Sequence, residues 1–221
     1  MGELLQFVTS LHKSTKRDYL GRMTDSKVDC MGVAKSYGSA YWDGDRRFGY
    51  GGYRYIPGRW RKVAEDLVQR YSLSEQSKVL DIGCGKGFLL HEMKELLPGL
   101  SVVGFDASQY ALSNSKKEVH DYLFLHNAED KIPYSDKSFD LAFSLGCLHN
   151  LKLPDLWISL QEMERVAKNG YLMVESYRND QELFNLQCWA LTAETIVDVK
   201  AWEWIFKNAG YSGDYEFILF E

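Results

Sequence analysis

The chain has 221 residues, 45% of them apolar and 26% charged, with a formal net charge of −5. This is an ordinary globular composition, long enough for one large domain or one domain with a small appendage. The acidic balance removes any electrostatic reason to bind bulk nucleic acid or an anionic membrane, and no apolar run reaches the ~18 residues of a membrane-crossing helix.

Residues 1–60 read differently from the rest. Leu4, Leu5, Val8 and Leu11 have helical spacing and predict a first helix. Residues 13–55 are polar and rich in glycine and tyrosine, with no long period, and the stretch closes on Arg46, Arg47, Arg54 and Arg59. A second helix is predicted over 60–71, with Val63, Leu67 and Val68 on one side. From residue 78 onward, strands at 78–82, 101–105, 122–125, 139–144 and 171–175 alternate with helices at 87–97, 108–119 and 154–167. Asn169-Gly170 reads as the C-cap of the last of these helices. A helix at 199–209 and a strand at 215–220 follow. Such alternation predicts helices on both faces of a parallel sheet. The four cysteines, Cys30, Cys84, Cys147 and Cys188, form no C-x-x-C pair. That suits reduced thiols and predicts neither a metal site nor a disulfide framework. The N-terminus does not read as a secretory signal, so a cytoplasmic location is expected.

The most informative stretch is Lys78-Val-Leu-Asp81-Ile-Gly83-Cys84-Gly85-Lys86-Gly87, a strand with one acid, then three glycines at alternate positions, then a helix start. Glycine suits a turn that takes positive φ and lets a ligand approach the backbone. The helix N-terminus beyond offers N–H groups to an anionic group. The dinucleotide fingerprint G-x-G-x-x-G is not met, because Phe88 stands where its third glycine belongs. Nor does Lys86-Gly87 complete a phosphate-loop G-K-[ST].

The pattern Val-Leu-Asp-Ile-Gly-Cys-Gly-x-Gly closely resembles motif I of the class I S-adenosylmethionine (SAM) dependent methyltransferases, and the resemblance spans about residues 60–177. It implies an α/β fold, a three-layer α/β/α Rossmann-like mixed sheet. That sheet would be mostly parallel with an antiparallel C-terminal strand, whose partner is sought in 191–197. The expected division is an N-terminal helical and aromatic lid over 1–60 and a methyltransferase domain over 61–221. The resemblance further implies that Gly83, Cys84, Gly85 and Gly87 cradle the methionine end of SAM, with Asp81 toward its amino group. Asp106 ends the second strand, about 20 residues past Gly83, where an acid binds ribose hydroxyls in doubly wound sheets; Ala107 follows it. A helix N-cap is the plainer role for Asp106. Ala128 and Glu129, after the third strand, match the adenine position, and Ser144 closes the strand resembling motif IV.

Methyl transfer to an alcohol or ammonium needs a base near the ends of the fourth and fifth strands or on the lid. His149 is one candidate, with an ordinary pKa near 6.5, although packing is the commoner role of a histidine there. Glu175 is another, beside Arg178, which could hold a substrate anion. Tyr53 is the candidate on the lid. There Tyr50, Tyr55 and Arg59 are expected to bind substrate, aromatic faces suit a sulfonium, and Gly49, Gly51 and Gly52 would give mobility. Trp189, Trp202 and Trp204 are expected to pack beneath it. The predicted function is SAM-dependent methyl transfer to an O or N of a small polar metabolite, with the arginines favouring an anionic one. S-adenosylhomocysteine (SAH) is the by-product, and no metal, nucleic acid or membrane takes part. Two rivals remain open: an RNA or protein methyltransferase using the basic aromatic arm, and a SAM-binding partner subunit without activity.

Overall fold

The computed structural model describes residues 2–51 and 53–221. Gly52, one of the glycines expected to loosen the lid, lies outside the described residues. The arm folds as four short helices, α1 (Thr9–Lys13), α2 (Tyr19–Thr24), α3 (Lys27–Ala34) and α4 (Ser39–Trp42), followed by a 3-10 turn at Arg46–Phe48. After α5 (Arg61–Arg70) the chain alternates through β1 (Lys78–Ile82), α6 (Phe88–Leu96), β2 (Ser101–Asp106), α7 (Gln109–Ser113), β3 (Leu123–Leu125), β4 (Phe139–Leu145), α8 (Leu153–Val166) and β5 (Ala167–Ser176). Then come α9 (Asp180–Trp189), α10 (Val199–Ala209) and β6 (Asp214–Leu219).

The six strands lie in the order β3-β2-β1-β4-β5-β6. Helices cover both faces. On one, Leu156, Leu160 and Met163 of α8 and Trp202 and Phe206 of α10 bury against the sheet. On the other, Val63 and Leu67 of α5, Leu90 and Met93 of α6 and Leu186 of α9 do so. Strands covered on both faces read as apolar runs without alternation, as Leu141–Phe143 does. The carboxyl ends of β1 and β4 meet where the order reverses, the place at which such sheets bind ligands.

The C-terminal strand corrects the expectation of an antiparallel partner. β6 pairs parallel to β5, from Tyr171↔Asp214 to Ser176↔Leu219, and every other neighbouring pair is parallel too. The cause is the connection: α10 carries the chain back across the sheet before β6 begins, and a crossover returns a strand parallel to the one it left. Residues 191–197, where a hairpin partner was sought, form no strand. They lie instead over the loop after β4, with the Glu194 and Thr195 amides donating to the His149 carbonyl at 3.1 and 3.0 Å.

Other local expectations shift as well. The first helix begins only at Thr9, because residues 2–5 run along β6; Leu5 N–H donates to the Tyr215 carbonyl at 2.8 Å, and Leu4 and Tyr215 bridge in parallel. Buried Glu216 of β6 accepts from the amides of Phe7 (2.7 Å), Val8 (3.0 Å) and Thr9 (2.6 Å), from Thr9 Oγ1 and from the Tyr171 hydroxyl, and so caps α1 from outside the helix. The helix expected over 108–119 ends at Ser113. Asn169 and Gly170 cap nothing: Ala167 is already extended at the end of α8, and both residues pair within β5. Helix α9 was not foreseen, and Trp204 is solvent-exposed, not packed beneath the lid.

Candidate active site

Beyond β1 the backbone turns through Gly83 (φ +79°) and Gly85 (φ +54°) before α6 starts. Both need glycine for space as well as for φ. A Cβ on Gly83 would lie 2.4 Å from Cys147 Sγ, and one on Gly85 would lie 2.8 Å from the Trp42 ring. The Gly83 and Cys84 amides donate to the Phe105 carbonyl at 2.9 and 3.0 Å, and the Gly85 amide donates to Asp106 Oδ2 at 2.8 Å. The loop is thus tied to the end of β2, and these three amides serve the protein itself. Asp106 Oδ1 accepts from the Ser108 amide at 2.8 Å, which orients the carboxylate fully. The N-cap of α7 is Ser108, not Asp106, since its Oγ accepts from the Ala111 amide.

Two acids stand close to the ends of the neighbouring strands, Asp81 one residue before the end of β1 and Asp106 last in β2. Asp81 is pushed well above the ordinary carboxylate range by burial and by the nearby charge of Asp106. Burial also raises Asp106, against the pull of the Ser108 and Gly85 amides. A pair of buried carboxylates in this condition calls for a ligand that brings positive charge or several N–H and O–H donors.

The arm closes over these groups. Lys86, itself buried, places Nζ 2.7 and 2.8 Å from the two carboxylate oxygens of Asp43, and the Tyr110 hydroxyl donates to the same carboxylate. Trp42 Nε1 donates to Ser108 Oγ at 2.8 Å, and Ser108 Oγ donates to the Tyr37 carbonyl at 2.6 Å. Edge-to-face contacts link Tyr41 to Tyr37, Trp42 and Tyr50. Between arm and sheet lies a cavity of about 510 Å³.

Glu175, near the end of β5, lies at one end of that cavity, and burial raises its carboxyl to about 7 against the opposing charges of Arg17, Arg22 and Lys27. Burial lowers His149 to about 4, so its imidazole is neutral at ordinary pH. Its Nδ1 faces the Glu175 amide at 3.4 Å, which leaves the proton on Nε2, 3.6 Å from Glu175 Oε2. Among the described residues, the buried side-chain atoms without a hydrogen-bond partner include Arg17 Nε, His126 Nε2, Asn150 Oδ1 and Glu175 Oε2, and all four line this cavity. Unsatisfied buried polar atoms are few in folded proteins, so four around one cavity mark a place prepared for a ligand.

Of the residues singled out in the sequence, Asp81, Gly83, Cys84, Gly85, Asp106, Ala107, Ala128, Glu129, His149, Glu175, Tyr50, Tyr53 and Arg59 line the cavity together. Four do not. Ser144 is fully buried and its Oγ ties β4 to the Ile82 carbonyl at 2.9 Å. Gly87 is the left-handed N-cap of α6 and packs on Val119. The Tyr55 hydroxyl donates to Glu92 Oε1 at 2.9 Å on the outside of α6. Arg178 is taken up by Glu182 and Glu221. Tyr53 donates its proton to the Tyr41 hydroxyl at 2.8 Å, and burial pushes its pKa upward, so it is a poor base. The Tyr50 hydroxyl is occupied by the amides of Leu191 and Thr192. Sequence reasoning missed Arg17, His126 and Asn150. His126 directly follows β3 and was reachable from that position, whereas no pattern in the chain points to Arg17.

Among the described residues, no group of three or more His, Cys, Asp or Glu side chains is arranged to hold a metal ion, and no helix is long and apolar enough to cross a membrane. The family model described as a methyltransferase domain matches residues 73–210. The demethylmenaquinone methyltransferase of Chlorobaculum tepidum is 31% identical over 116 residues, 52% of this chain and 47% of that protein. The malonyl-[acyl-carrier protein] O-methyltransferase of Hahella chejuensis is 28% identical over 142 residues, 62% of this chain and 50% of that protein. The chain thus spans about half the length of these relatives. A solved SAM-dependent methyltransferase from Aquifex aeolicus has the same fold, with a TM-score of 0.50 at 23% identity over 70% of this chain and 83% of that one. With the family model covering more than half of its length, the chain belongs to the class I SAM-dependent methyltransferases.

Proposed function

We propose that the protein transfers a methyl group from SAM to an oxygen or nitrogen of a small polar metabolite, a sugar or amino-acid derivative. The observation that carries this reading is Glu175: a buried carboxyl near pKa 7 with an unpartnered oxygen on the wall of an aromatic-lidded cavity. A carboxylate so tuned is half-ionised at neutral pH, which suits a general base. In this reading Asp81 meets the amino group of the cofactor, Asp106 its ribose hydroxyls, and Ala128 with Glu129 its adenine, with His126 Nε2 as a further partner. Bound SAM supplies an electrophilic methyl group whose leaving group is a neutral thioether, so no acid is needed to expel it.

The chain's own residues do the rest. Glu175 Oε2 takes the proton of the accepting hydroxyl or ammonium. His149 positions that carboxylate through the backbone of Glu175 and directs an N–H toward it. Trp42, Tyr41 and Tyr53 give the cavity an aromatic wall, beside which each charge acts more strongly than in bulk water. The arm's tyrosines pack on one another and line the cavity, which favours a small acceptor over a nucleic acid strand stacked on them. Isothermal titration with SAM and SAH tests the reading. Binding of both near micromolar levels is expected, and binding of neither removes it.

A further inference from the structure

The acceptor end of the cavity carries more positive charge than the protein neutralises. Arg17 gives its two terminal nitrogens to uncharged groups: Nη1 donates to the carbonyls of His12 and Thr15 at 3.1 and 3.0 Å, and Nη2 donates to His12 Nδ1 at 3.0 Å. His12 can accept because burial and Arg17 hold its pKa down to about 4, while its Nε2 donates to the Leu219 carbonyl at 3.1 Å. The guanidinium is stacked 5.4 Å from the Trp189 ring centre and 5.5 Å from that of Phe220. It is therefore fixed in place, with Nε buried and unpartnered.

Behind it, Arg22 donates to the carbonyls of Trp189, Arg46 and Gly49, and Lys27 to those of Cys188 and Ala190. No described carboxylate lies within ion-pair distance of Arg17, Arg22 or Lys27. In a chain of net charge −5, three cations satisfied only by neutral groups are a local excess. Glu175 feels all three yet touches none, and its Oε2 is also unpartnered. Arg17 and Glu175 line the same cavity, each with one buried atom left without a partner. Trp189 forms part of a second cavity of about 340 Å³ on the outer side, where Lys16, Arg22, Arg46 and Arg47 outnumber Asp18 and Asp25.

Resting on the methyltransferase reading above, we infer that the acceptor is an anion that joins these two groups across the cavity: a carboxylate or phosphate oxygen accepts from Arg17 Nε, and the hydroxyl or amine that receives the methyl group faces Glu175 Oε2. A neutral acceptor oxygen could partner Arg17 Nε, but it would leave the excess charge unanswered. Lys16, Arg22, Arg46 and Arg47 around Trp189 would draw such an anion toward the cavity.

The test is titration of the SAH-loaded protein with matched small molecules: hydroxy and amino carboxylates, their carboxamides, and hydroxyalkyl phosphates. Acids are expected to bind at least about tenfold more tightly than the paired amides, the scale of one charge-assisted hydrogen bond. Arg17→Gln should erase the preference without changing SAH affinity, and Arg17→Lys should restore part of it. A better response to phosphates than to carboxylates assigns the anionic group, and the reverse assigns it the other way. Acids and amides bound alike, no member of the series bound, or a preference that survives Arg17→Gln overturns the proposal. If Arg17→Gln does not fold, the acid-to-amide ratio of the unmodified protein decides alone. Failure of SAH itself to bind strikes the cofactor reading instead, so the two are separable.

Discussion

Lys86 Nζ sits 2.7 and 2.8 Å from the two carboxylate oxygens of Asp43, joining the glycine loop to the arm that covers it. Lys86 is only 7% exposed and Asp43 is about one-third exposed. The lysine has no other described carboxylate to turn to. Asp43→Asn should therefore leave a buried ammonium short of a partner. The expected cost is about 1–2 kcal/mol, below that of a fully buried pair because Asp43 is partly wet. Urea denaturation checks the stability, and limited proteolysis within residues 43–60 checks the arm. An unchanged midpoint and an uncut arm would show that the clasp holds nothing.

Asp106→Ala removes a carboxylate oriented by the Gly85 and Ser108 amides. SAM and SAH affinity should fall by about 2–3 kcal/mol, from lost charge-assisted contacts to ligand and loop together. Asp106→Asn keeps one acceptor oxygen and should lose less. Calorimetric titration of the three proteins gives the comparison, and equal affinities would take Asp106 out of the site.

Glu175 acts as a base only when ionised, so kcat should rise with pH through an apparent pKa of about 7. Glu175→Gln should lower kcat by about 10²–10⁴-fold while SAH affinity holds. Tyr53→Phe, whose hydroxyl only donates to Tyr41, should keep kcat within about threefold. A flat pH profile, or a loss at Tyr53 larger than at Glu175, would reassign the proton transfer.

Glu175 and His149 oppose each other in stability. Glu175 is raised from 4.5 to about 7, so its contribution is present at low pH and lost as pH climbs between those values. His149 is lowered from 6.5 to about 4, so its contribution is present above 6.5 and lost as pH falls toward 4. In Glu175→Gln only the histidine effect remains. The variant should gain on the parent by on the order of 3 kcal/mol between pH 4.5 and pH 8. Denaturant midpoints at those two values measure the gain, and a parallel loss in both proteins would show that Glu175 is not held protonated.

The glycine loop and the helix after it were legible because their causes are local: Asp81, Gly83 and Gly85 stand within five residues, and φ and close approach dictate glycine. Asp106 was legible from its distance along the chain to the loop. The direction of β6 was not, because it depends on α10 carrying the chain over the sheet before Asp214, and residues 215–220 look the same in either direction. Ser144 and Arg178 misled for a related reason. Each stands near a strand end as expected, but Ser144 is turned by the distant Ile82 carbonyl, and Arg178 is held by Glu182 four residues on together with distant Glu221. Arg17 was invisible since its setting is assembled from Trp189 and Phe220, more than 170 positions later.

Glu216 gives the arm its mechanics. By gathering the amides of Phe7, Val8 and Thr9, it moors the start of the arm at the far edge of the sheet, while Asp43 fastens a later point beside the glycine loop. A strap held at both places cannot swing away like a door; it has to unbuckle at the weaker fastening. Ligand exchange would then proceed by release at Asp43 and Trp42 while the mooring at Glu216 stays whole.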